Sequence, residues 1–278
     1  QGAGLQEPLS RLWEGIDWDD THSLLHASKA MQELILAAEL PQDVRESITL
    51  AAHDLYRKAP GHPRVSLRSS AIWEDSHASF AGQYSSFLNV PLEQVLRRYK
   101  ETVASKFGAR ALFYMHTKGF REDEIAMSVG CFLMVHAAAA GVAYSVDPAD
   151  AELDTMTISA IWGLGKPVVD GSMTPDVYRV ARRADEGTIE RRVAHKARRV
   201  VEAPDEGVVE EDVPAELRDA PCLTDGQIAR LAEYVRALEA HYRGPQDGEG
   251  ARDQQGRLFT LQTPPRGRAG SPAGRAVS

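Results

Sequence analysis

The sequence predicts an α+β protein with a mostly antiparallel sheet and flanking helices. Two observations lead to this class. Apolar residues recur at helical spacing near both ends of the chain. Between them, residues 125–181 form short β-rich runs that are separated by turns. Such a series of short strands favours antiparallel pairing, and helices from the two ends would cover the sheet.

Two helices are predicted at the start of the chain. Residues 20–38 carry apolar side chains at near-helical spacing, and Asp20 or Thr21 can cap this helix. A second helix is predicted over residues 41–56, with proline in its first turn. A Pro-Gly-His-Pro cluster then ends it. We therefore treat residues 1–63 as a helical lead-in segment.

The middle of the chain alternates between strands and one long helix. The helix is predicted over residues 92–118, where apolar side chains share one face. Short strands are predicted at 65–67, 87–90, 125–135, 141–146, 156–162, 177–181 and 188–196.

The C-terminal part contains a clear helix signal. Residues 201–220 are acidic and contain proline, which indicates an exposed loop. Thr224 and Gln227 then form a capping-box pattern in front of an apolar stripe. A last strand is predicted over residues 257–263. The nucleotide-binding region described below would span residues 64–265, and the small, basic residues 266–278 would form a disordered tail.

Composition excludes several classes of protein. The 278 residues carry a formal net charge of −8, which argues against a general nucleic-acid or membrane-surface binder. No apolar run is long enough to span a membrane. The two cysteines, Cys131 and Cys222, indicate neither a disulfide framework nor a zinc site, so a cytoplasmic location is expected. The first residues lack both a signal-peptide pattern and a starting Met, which suggests a processed chain or an excised fragment.

The stretch RSSAIWEDSHASFAGQY, residues 68–84, suits a small anion. Arg68 offers a planar fork of donors that matches phosphate oxygens. The stretch also holds serine hydroxyls and Gly82, which permits close approach of backbone N–H groups. A polar turn in which Arg68 pairs with Glu74 or Asp75 explains the same residues.

A second group of candidate ligands lies near the C-terminus. Asp247 and Glu249 flank a glycine, and Gln262 lies on the last predicted strand. Carboxylate and amide oxygens are ligands that magnesium accepts alongside nucleotide phosphates. They would meet if the two segments form a hairpin. A solvated acidic turn and a surface amide are the alternative.

Four segments in order resemble the nucleotide-binding domain of the phosphoenolpyruvate synthase and pyruvate phosphate dikinase family. They are LRSSAIWEDSHASFAGQYSSFLNV at 67–90, GVAYSVDPAD at 141–150, WGLGKPVVDGSMTPDVYRV at 162–180 and the segment 223–263 with its closing helix, acidic motif and LQT strand. The resemblance covers about residues 15–265. It implies an ATP-grasp-like fold, in which two lobes grip ATP and magnesium.

The resemblance also implies a reaction and roles for individual residues. ATP would transfer its β-phosphoryl group to a histidine on a swivelling domain, and a pyruvate-binding domain would receive it next. Both domains would be partners in cis or in trans. Arg68 would be catalytic and contact the transferring phosphates. The remaining implied contacts are the phosphate loop Ser79, Phe80, Ala81, Gly82 and Gln83, the adenine-side hinge Met134 and Val135, the nucleotide-site residue Lys166, and the magnesium ligands Glu249, Gln262 and Asp247.

Several positions depart from the family pattern. Pro264 stands where an arginine is expected and has neither charge nor a donor. Gly248 and Gly250 replace two bulky residues and should loosen the turn that aims the metal-binding carboxylate. Phe132 replaces a glutamine, and Lys166 occupies a position that is often a ribose-binding glutamate. A Gly-rich N-terminal segment, the swivelling domain and the pyruvate-binding barrel have no counterpart, so this chain alone is not expected to make phosphoenolpyruvate.

Three functions stay open at this stage. The first is the ATP-binding portion of a phosphoenolpyruvate synthase or dikinase-like phosphotransferase. The second is a degenerate module that binds nucleotide without transfer. The third is the ATP domain of a dikinase with another acceptor, of the rifampin or glucan type. Lys196 and the arginines around it are expected to form a solvated basic face.

Overall fold

In the computed structural model the chain divides into two compact units. The structure describes residues 4–59, 61, 63–71, 84–148, 154–182 and 188–263. The first unit comprises Gln1–Met134 together with Ala203–Gly207, and the second comprises Val135–Glu202 and Val208–Ser278. The predicted segments 1–63, 64–265 and 266–278 stay a prediction. Among the described residues, no helix combines the length and apolar character that a bilayer crossing requires.

The first unit contains five helices and three strands among its described residues. They are α1 (Gln6–Glu14), α2 (Thr21–Ala37), α3 (Gln42–Arg57), β1 (Val65–Ala71), β2 (Phe87–Val90), α4 (Val95–Ser105), α5 (Ala109–Thr117) and β3 (Met127–Leu133), with a short 3₁₀ turn at Leu92–Gln94.

Local sequence explains where these helices begin and end. Asp20 caps α2, because its carboxylate accepts hydrogen bonds from the backbone N–H groups of His22 and Ser23. Residues 92–118 are mostly helical, as predicted, but they form a 3₁₀ turn, α4 and α5. The backbone is extended at Gly108, which separates α4 from α5. α1 was not predicted.

The sheet of the first unit has the order β2-β1-β3 and is antiparallel. Val65 and Leu67 point to one face, where they pack with Val90 and Val95 in a buried cluster. Since side chains alternate along a strand, Arg68 belongs to the opposite face. A separate apolar cluster joins α1, α2 and α5 through residues such as Met31, Leu112 and Met115.

The second unit is built on a six-stranded sheet whose pairs are all antiparallel, as predicted. Its order is β11-β10-β4-β5-β6-β7, formed by β4 (Ala137–Tyr144), β5 (Thr155–Trp162), β6 (Asp176–Ala181), β7 (Thr188–Arg192), β10 (Asp247–Asp253) and β11 (Leu258–Gln262). The capping box of Thr224 and Gln227 starts helix α7 (Asp225–Tyr242), as predicted. The unit also contains a four-residue helix α6 (Lys166–Val169) and a 3₁₀ turn at Ala215–Leu217.

The predicted exposed loop over 201–220 is wrong in part. Residues Arg198–Glu202 (β8) and Val208–Asp212 (β9) form a two-stranded antiparallel hairpin. Its acidic residues remain exposed but are paired, because Glu210 accepts a hydrogen bond from Arg198 at 2.8 Å and Glu211 accepts one from Arg199 at 2.8 Å. Cross-strand charge pairs of this kind support a hairpin that composition alone hides.

Helix α7 covers one face of the six-stranded sheet. Ile228, Ala232 and Val235 of the helix pack with Ile158 and other buried residues of that face. Every second residue of each strand therefore points toward α7, and the residues between them point to the other face. This alternation decides which side chains can form a site.

Candidate functional site

The two candidate metal ligands Glu249 and Gln262 lie on neighbouring strands. They are direct partners in the β10–β11 register, so their side chains leave the sheet on the same face. Asp247 lies two residues before Glu249 and shares this face. The hairpin that the sequence suggested is therefore present, and it brings together the three predicted ligands.

A tight turn fixes the register of this hairpin. Asp253 accepts hydrogen bonds from the backbone N–H groups of Gln255 and Arg257, and from the Arg257 side chain at 2.6 Å. Gly256 completes the turn with a φ of 82°, a conformation that favours glycine. The turn sets the pairs Arg252–Leu258, Ala251–Phe259 and Gly250–Thr260. A register shift between Gly250 and Glu249 then brings Glu249 opposite Gln262.

The expectation that Gly248 and Gly250 loosen a turn is wrong, because both lie within strand β10. They point to the face that α7 covers, opposite to Glu249. A Cβ at Gly248 would lie 3.8 Å from Leu238, and one at Gly250 would lie 4.0 Å from Leu231. An apolar cavity of about 30 Å³ lies here, and its lining includes both glycines and Leu231. The missing bulk leaves space behind the strand that carries Glu249.

The donor set fits a magnesium ion in its chemistry. Carboxylate and amide oxygens are hard ligands, and magnesium is usually bound by one or two carboxylates plus phosphate or water oxygens. In the part of the chain that the structure describes, no group of three or more histidine, cysteine, aspartate and glutamate side chains could hold a metal. A cation at Glu249 and Gln262 would therefore take further ligands from a phosphate chain and water.

Arg68 lies on β1 in the first unit, directly across from Gly130 of β3. Phe132, two residues further along β3, lies across from Ser66 and shares this polar face. Its side chain is 51% exposed, and its ring covers Gly130, where a Cβ would lie only 2.6 Å from the ring. The face around Arg68 thus carries an exposed aromatic ring.

The other predicted nucleotide contacts of the first unit are only partly described. Ser79, Phe80, Ala81, Gly82 and Gln83 lie outside the described residues. Met134 ends the first unit and Val135 begins the second. The backbone N–H of Met134 donates a hydrogen bond to the Arg64 carbonyl oxygen at 2.8 Å, so this donor is already used within the unit.

Lys166 lies at the start of the short helix α6, and a glycine turn positions it. Gly163 has a φ of 79°, and a Cβ there would lie 2.3 Å from the Val200 carbonyl oxygen, so a larger residue does not fit. The Lys166 ammonium is exposed and donates to Asp170 at 2.8 Å. This hydrogen bond lowers the pKa of the Asp170 carboxyl to about 2.

The prediction that Lys196 belongs to a solvated basic face is wrong. Lys196 is only 3% exposed, and its ammonium donates to Asp176 at 2.6 Å and to the Ala194 carbonyl oxygen at 2.7 Å. Asp176 also accepts from the backbone N–H of Cys222 and from the Tyr178 hydroxyl. Burial and this carboxylate raise the pKa of the Tyr178 hydroxyl.

Two histidine–carboxylate pairs among the described residues, His136–Glu202 and His195–Asp219, were not singled out from the sequence. In the first of these pairs, His136 directly precedes β4, and Glu202 ends β8. The His136 Nδ1 and the Glu202 Oε2 are 2.6 Å apart. Neither residue lies in one of the four motif segments, so only the pairing of distant strands reveals them.

The fold and these side chains define an α+β protein with carboxylate and amide side chains together on one hairpin of the second unit and an arginine-bearing strand in the first. The chain belongs to the pyruvate phosphate dikinase AMP/ATP-binding domain family, whose sequence model matches residues 1–277. This finding confirms the family that the motif segments predicted.

Individual proteins similar to this chain include several phosphoenolpyruvate synthases. The chain is 38% identical over 269 residues to a probable phosphoenolpyruvate synthase of Methanothermobacter thermautotrophicus and 35% identical over 267 residues to one of Methanocaldococcus jannaschii. It is 33% identical over 274 residues to the phosphoenolpyruvate synthase of Pyrococcus furiosus. Each match covers 94% of this chain but only 38%, 22% and 33% of the respective relative.

Proposed function

We propose that the chain binds MgATP through an ATP-grasp-like fold and provides the phosphoryl group that a histidine on a separate domain accepts. The observation that carries the nucleotide part is the Glu249–Gln262 pair, placed on adjacent strands in a chain of an AMP/ATP-binding family. Phosphoenolpyruvate synthases among the relatives support the reaction class.

Each named side chain has a physical task in this proposal. Arg68 donates to phosphate oxygens through its planar guanidinium, and its fixed charge stabilises charge that develops during transfer. Glu249 and Gln262 would hold magnesium, with Asp247 beside them. When bound, this ion would neutralise charge on the phosphate chain. Because phosphoryl transfer depends mainly on positioning and charge, these parts suffice for the nucleotide half of the reaction.

Calorimetric titration of the chain with ATP, with and without magnesium, tests the nucleotide part. We expect Arg68→Ala to weaken MgATP binding roughly tenfold or more, because hydrogen bonds to charged groups contribute about 1.5–3 kcal/mol. The matched control is Arg230→Ala, which removes an exposed arginine of α7 whose partner is Glu233. Equal affinity of the wild type, Arg68→Ala and the control would contradict the role of Arg68.

Glu249→Gln tests the magnesium site separately. It keeps the size of the side chain and removes its charge. We expect the advantage that magnesium gives to ATP binding to fall, while binding of ATP without magnesium stays near the wild-type value. Glu233→Gln is the control for a surface carboxylate. A magnesium effect that survives in Glu249→Gln would place the cation elsewhere.

A non-catalytic nucleotide-binding module is the second candidate. Exposed Phe132 beside Arg68 and the cavity behind β10 favour it, because both departures affect segments that would position phosphate and metal. Transfer of labelled phosphate from ATP to a swivelling histidine domain supplied in trans separates the two candidates. Labelled phosphohistidine would support the phosphotransferase, and its absence despite MgATP binding would support the module. The final acceptor, including rifampin- or glucan-type acceptors, depends on other domains.

A further inference from the structure

The tip of the β8–β9 hairpin, residues Ala203–Gly207, belongs to the first unit, although both strands of the hairpin belong to the second. The chain therefore passes from one unit to the other at three places, which are after Met134, after Glu202 and after Gly207. A simple linker between two units needs only one such place. The two additional ones make the tip, which we call the strap, a second connection along the chain.

One buried asparagine of the first unit holds both ends of the strap. Asn89 is only 2% exposed, and its side-chain amide donates to the carbonyl oxygen of Ala203 at 2.6 Å and to that of Gly207 at 2.9 Å. Both partners only accept hydrogen bonds, so the NH₂ group faces them and uses both of its donors. Asn89 also has a φ of 55°, which is uncommon for a residue other than glycine. The backbone thus adopts an uncommon conformation at the residue that binds the strap.

Charged side chains of helix α4 bind the middle of the strap. Glu206 accepts hydrogen bonds from Arg98 at 2.6 Å and from Arg97 at 2.9 Å, and its side chain is only 19% exposed. Both arginines also donate to Glu101, so the four side chains form one network. Such a network contributes more than an isolated pair on the surface. The hydrogen bond from Arg98 lowers the pKa of the Glu206 carboxyl, so the network is charged at neutral pH.

The residues that hold the strap lie beside the strand that carries Arg68. Asn89 is part of β2, which pairs with β1. Arg64, directly before Val65 at the start of β1, approaches the strap at the Pro204 carbonyl oxygen, to which it donates at 3.2 Å. The strap is therefore fixed to the elements around Arg68, whereas its two strands continue into the unit that carries the candidate metal ligands.

We propose that the strap strengthens MgATP binding because it limits the independent motion of the two units. The inference rests on the proposed function, in which Arg68 of the first unit and Glu249 and Gln262 of the second bind the same nucleotide. Two binding groups that are joined by a restricted connection act at a higher effective concentration than groups joined by one flexible linker. They also have less freedom to lose on binding. Asn89 and Glu206 are positioning residues in this proposal, because they act through the strap and not on the nucleotide.

Calorimetric titration of the whole chain with MgATP tests the proposal with two variants that release the strap. Asn89→Gly removes the side-chain amide and keeps a residue that readily adopts a positive φ, and Glu206→Ala removes the centre of the charged network. We expect each variant to bind MgATP roughly tenfold more weakly than the wild type. The matched control is Glu210→Ala, which removes the partner of Arg198 within the same hairpin and should leave the affinity unchanged. Wild-type affinity in both release variants would overturn the proposal.

A double-mutant comparison separates this role from a purely structural one. In Arg68→Ala the first unit has lost its phosphate contact, so adding Glu206→Ala should weaken MgATP binding much less than it does in the wild type. Equal losses in the two backgrounds would show that the strap only supports the structure of the first unit, and would overturn the proposal while leaving MgATP binding in place. Absence of MgATP binding by the wild type would overturn both the role of the strap and the proposed function.

Discussion

Among the described residues, each compact unit buries one lysine, and the two lysines have different hydrogen-bond acceptors. In the second unit Lys196 forms an ion pair with Asp176, whose carboxylate accepts further hydrogen bonds. In the first unit Lys106 is 9% exposed and donates to the backbone carbonyl oxygen of Glu122. Burial lowers the pKa of Lys106 to about 8. Burial alone therefore does not decide how much a lysine contributes to the free energy of unfolding, because the nature of its hydrogen-bond acceptor matters as much.

The largest expected loss of stability comes from breaking the Lys196–Asp176 ion pair of the second unit. Lys196→Met would leave the Asp176 carboxylate buried without its cation, which costs about 3–5 kcal/mol of the free energy of unfolding. Urea denaturation at pH 7 measures this loss. The double variant Asp176→Asn/Lys196→Met removes the unpaired negative charge and keeps an amide oxygen as acceptor. It should therefore recover much of the lost free energy of unfolding. A double variant as unstable as Lys196→Met would contradict the electrostatic cause.

The next effect is a pH dependence of the free energy of unfolding, which arises from Lys106 in the first unit. The pKa of Lys106 is about 8 in the folded chain and near the ordinary value of about 10.5 in the unfolded chain. Between these values the unfolded chain binds more protons at this site, so the Lys106 contribution to stability rises with pH across that window. The rise amounts to about 3 kcal/mol.

The measurement is the free energy of unfolding between pH 7 and pH 10.5 for the wild type and Lys106→Met. Other groups titrate in both proteins, so the difference between the two curves isolates Lys106. Lys106→Met should be relatively more stable at pH 7 than at pH 10.5. A difference that does not change with pH would show that burial leaves the charge of Lys106 unaffected.

The smallest expected effect concerns apolar packing in the second unit. The buried Lys196–Asp176 ion pair of this unit is well satisfied by hydrogen bonds, whereas the apolar packing around Gly248 is incomplete. Alanine at this position meets neighbours only at 3.7–3.8 Å, and the glycine does not need a positive φ. Gly248→Ala should raise the free energy of unfolding by about 0.5–1 kcal/mol, mainly through the lower entropy of the unfolded chain.

Thermal unfolding checks this gain, since about 1 kcal/mol corresponds to roughly 2–4 °C in a chain of this size. Gly250→Ala is the matched control on the same face of the same strand. Its Cβ would lie 3.1 Å from the Phe259 carbonyl oxygen, so little or no gain is expected. A gain of equal size in both variants would argue against the role of local fit.

Much of the fold could be predicted from local signals. Asp20 and the Thr224–Gln227 box mark two helix starts, because capping involves residues within three positions of one another. The β8–β9 hairpin could not be predicted in the same way. The acidic composition of β9 is typical of a loop. Only the structure shows that Arg198 and Arg199 lie opposite these acidic residues.

The candidate site shows the same division. The motif segments predicted Glu249, Gln262 and Asp247 as one group, and the hairpin register places them on one face. The sequence assigned Lys196 to solvent, because a lysine among arginines gives no local sign that a carboxylate 20 positions earlier will accept its hydrogen bond.

Periodicity and short motifs were enough to predict the α+β class, the family and the pair of candidate ligands on the closing hairpin. Only the tertiary structure decided that Lys196 is buried, that Gly248 and Gly250 leave a cavity under α7, and that Glu202 meets His136. These facts depend on which residues approach one another from distant parts of the chain, and pairing of that kind leaves no local pattern to recognise.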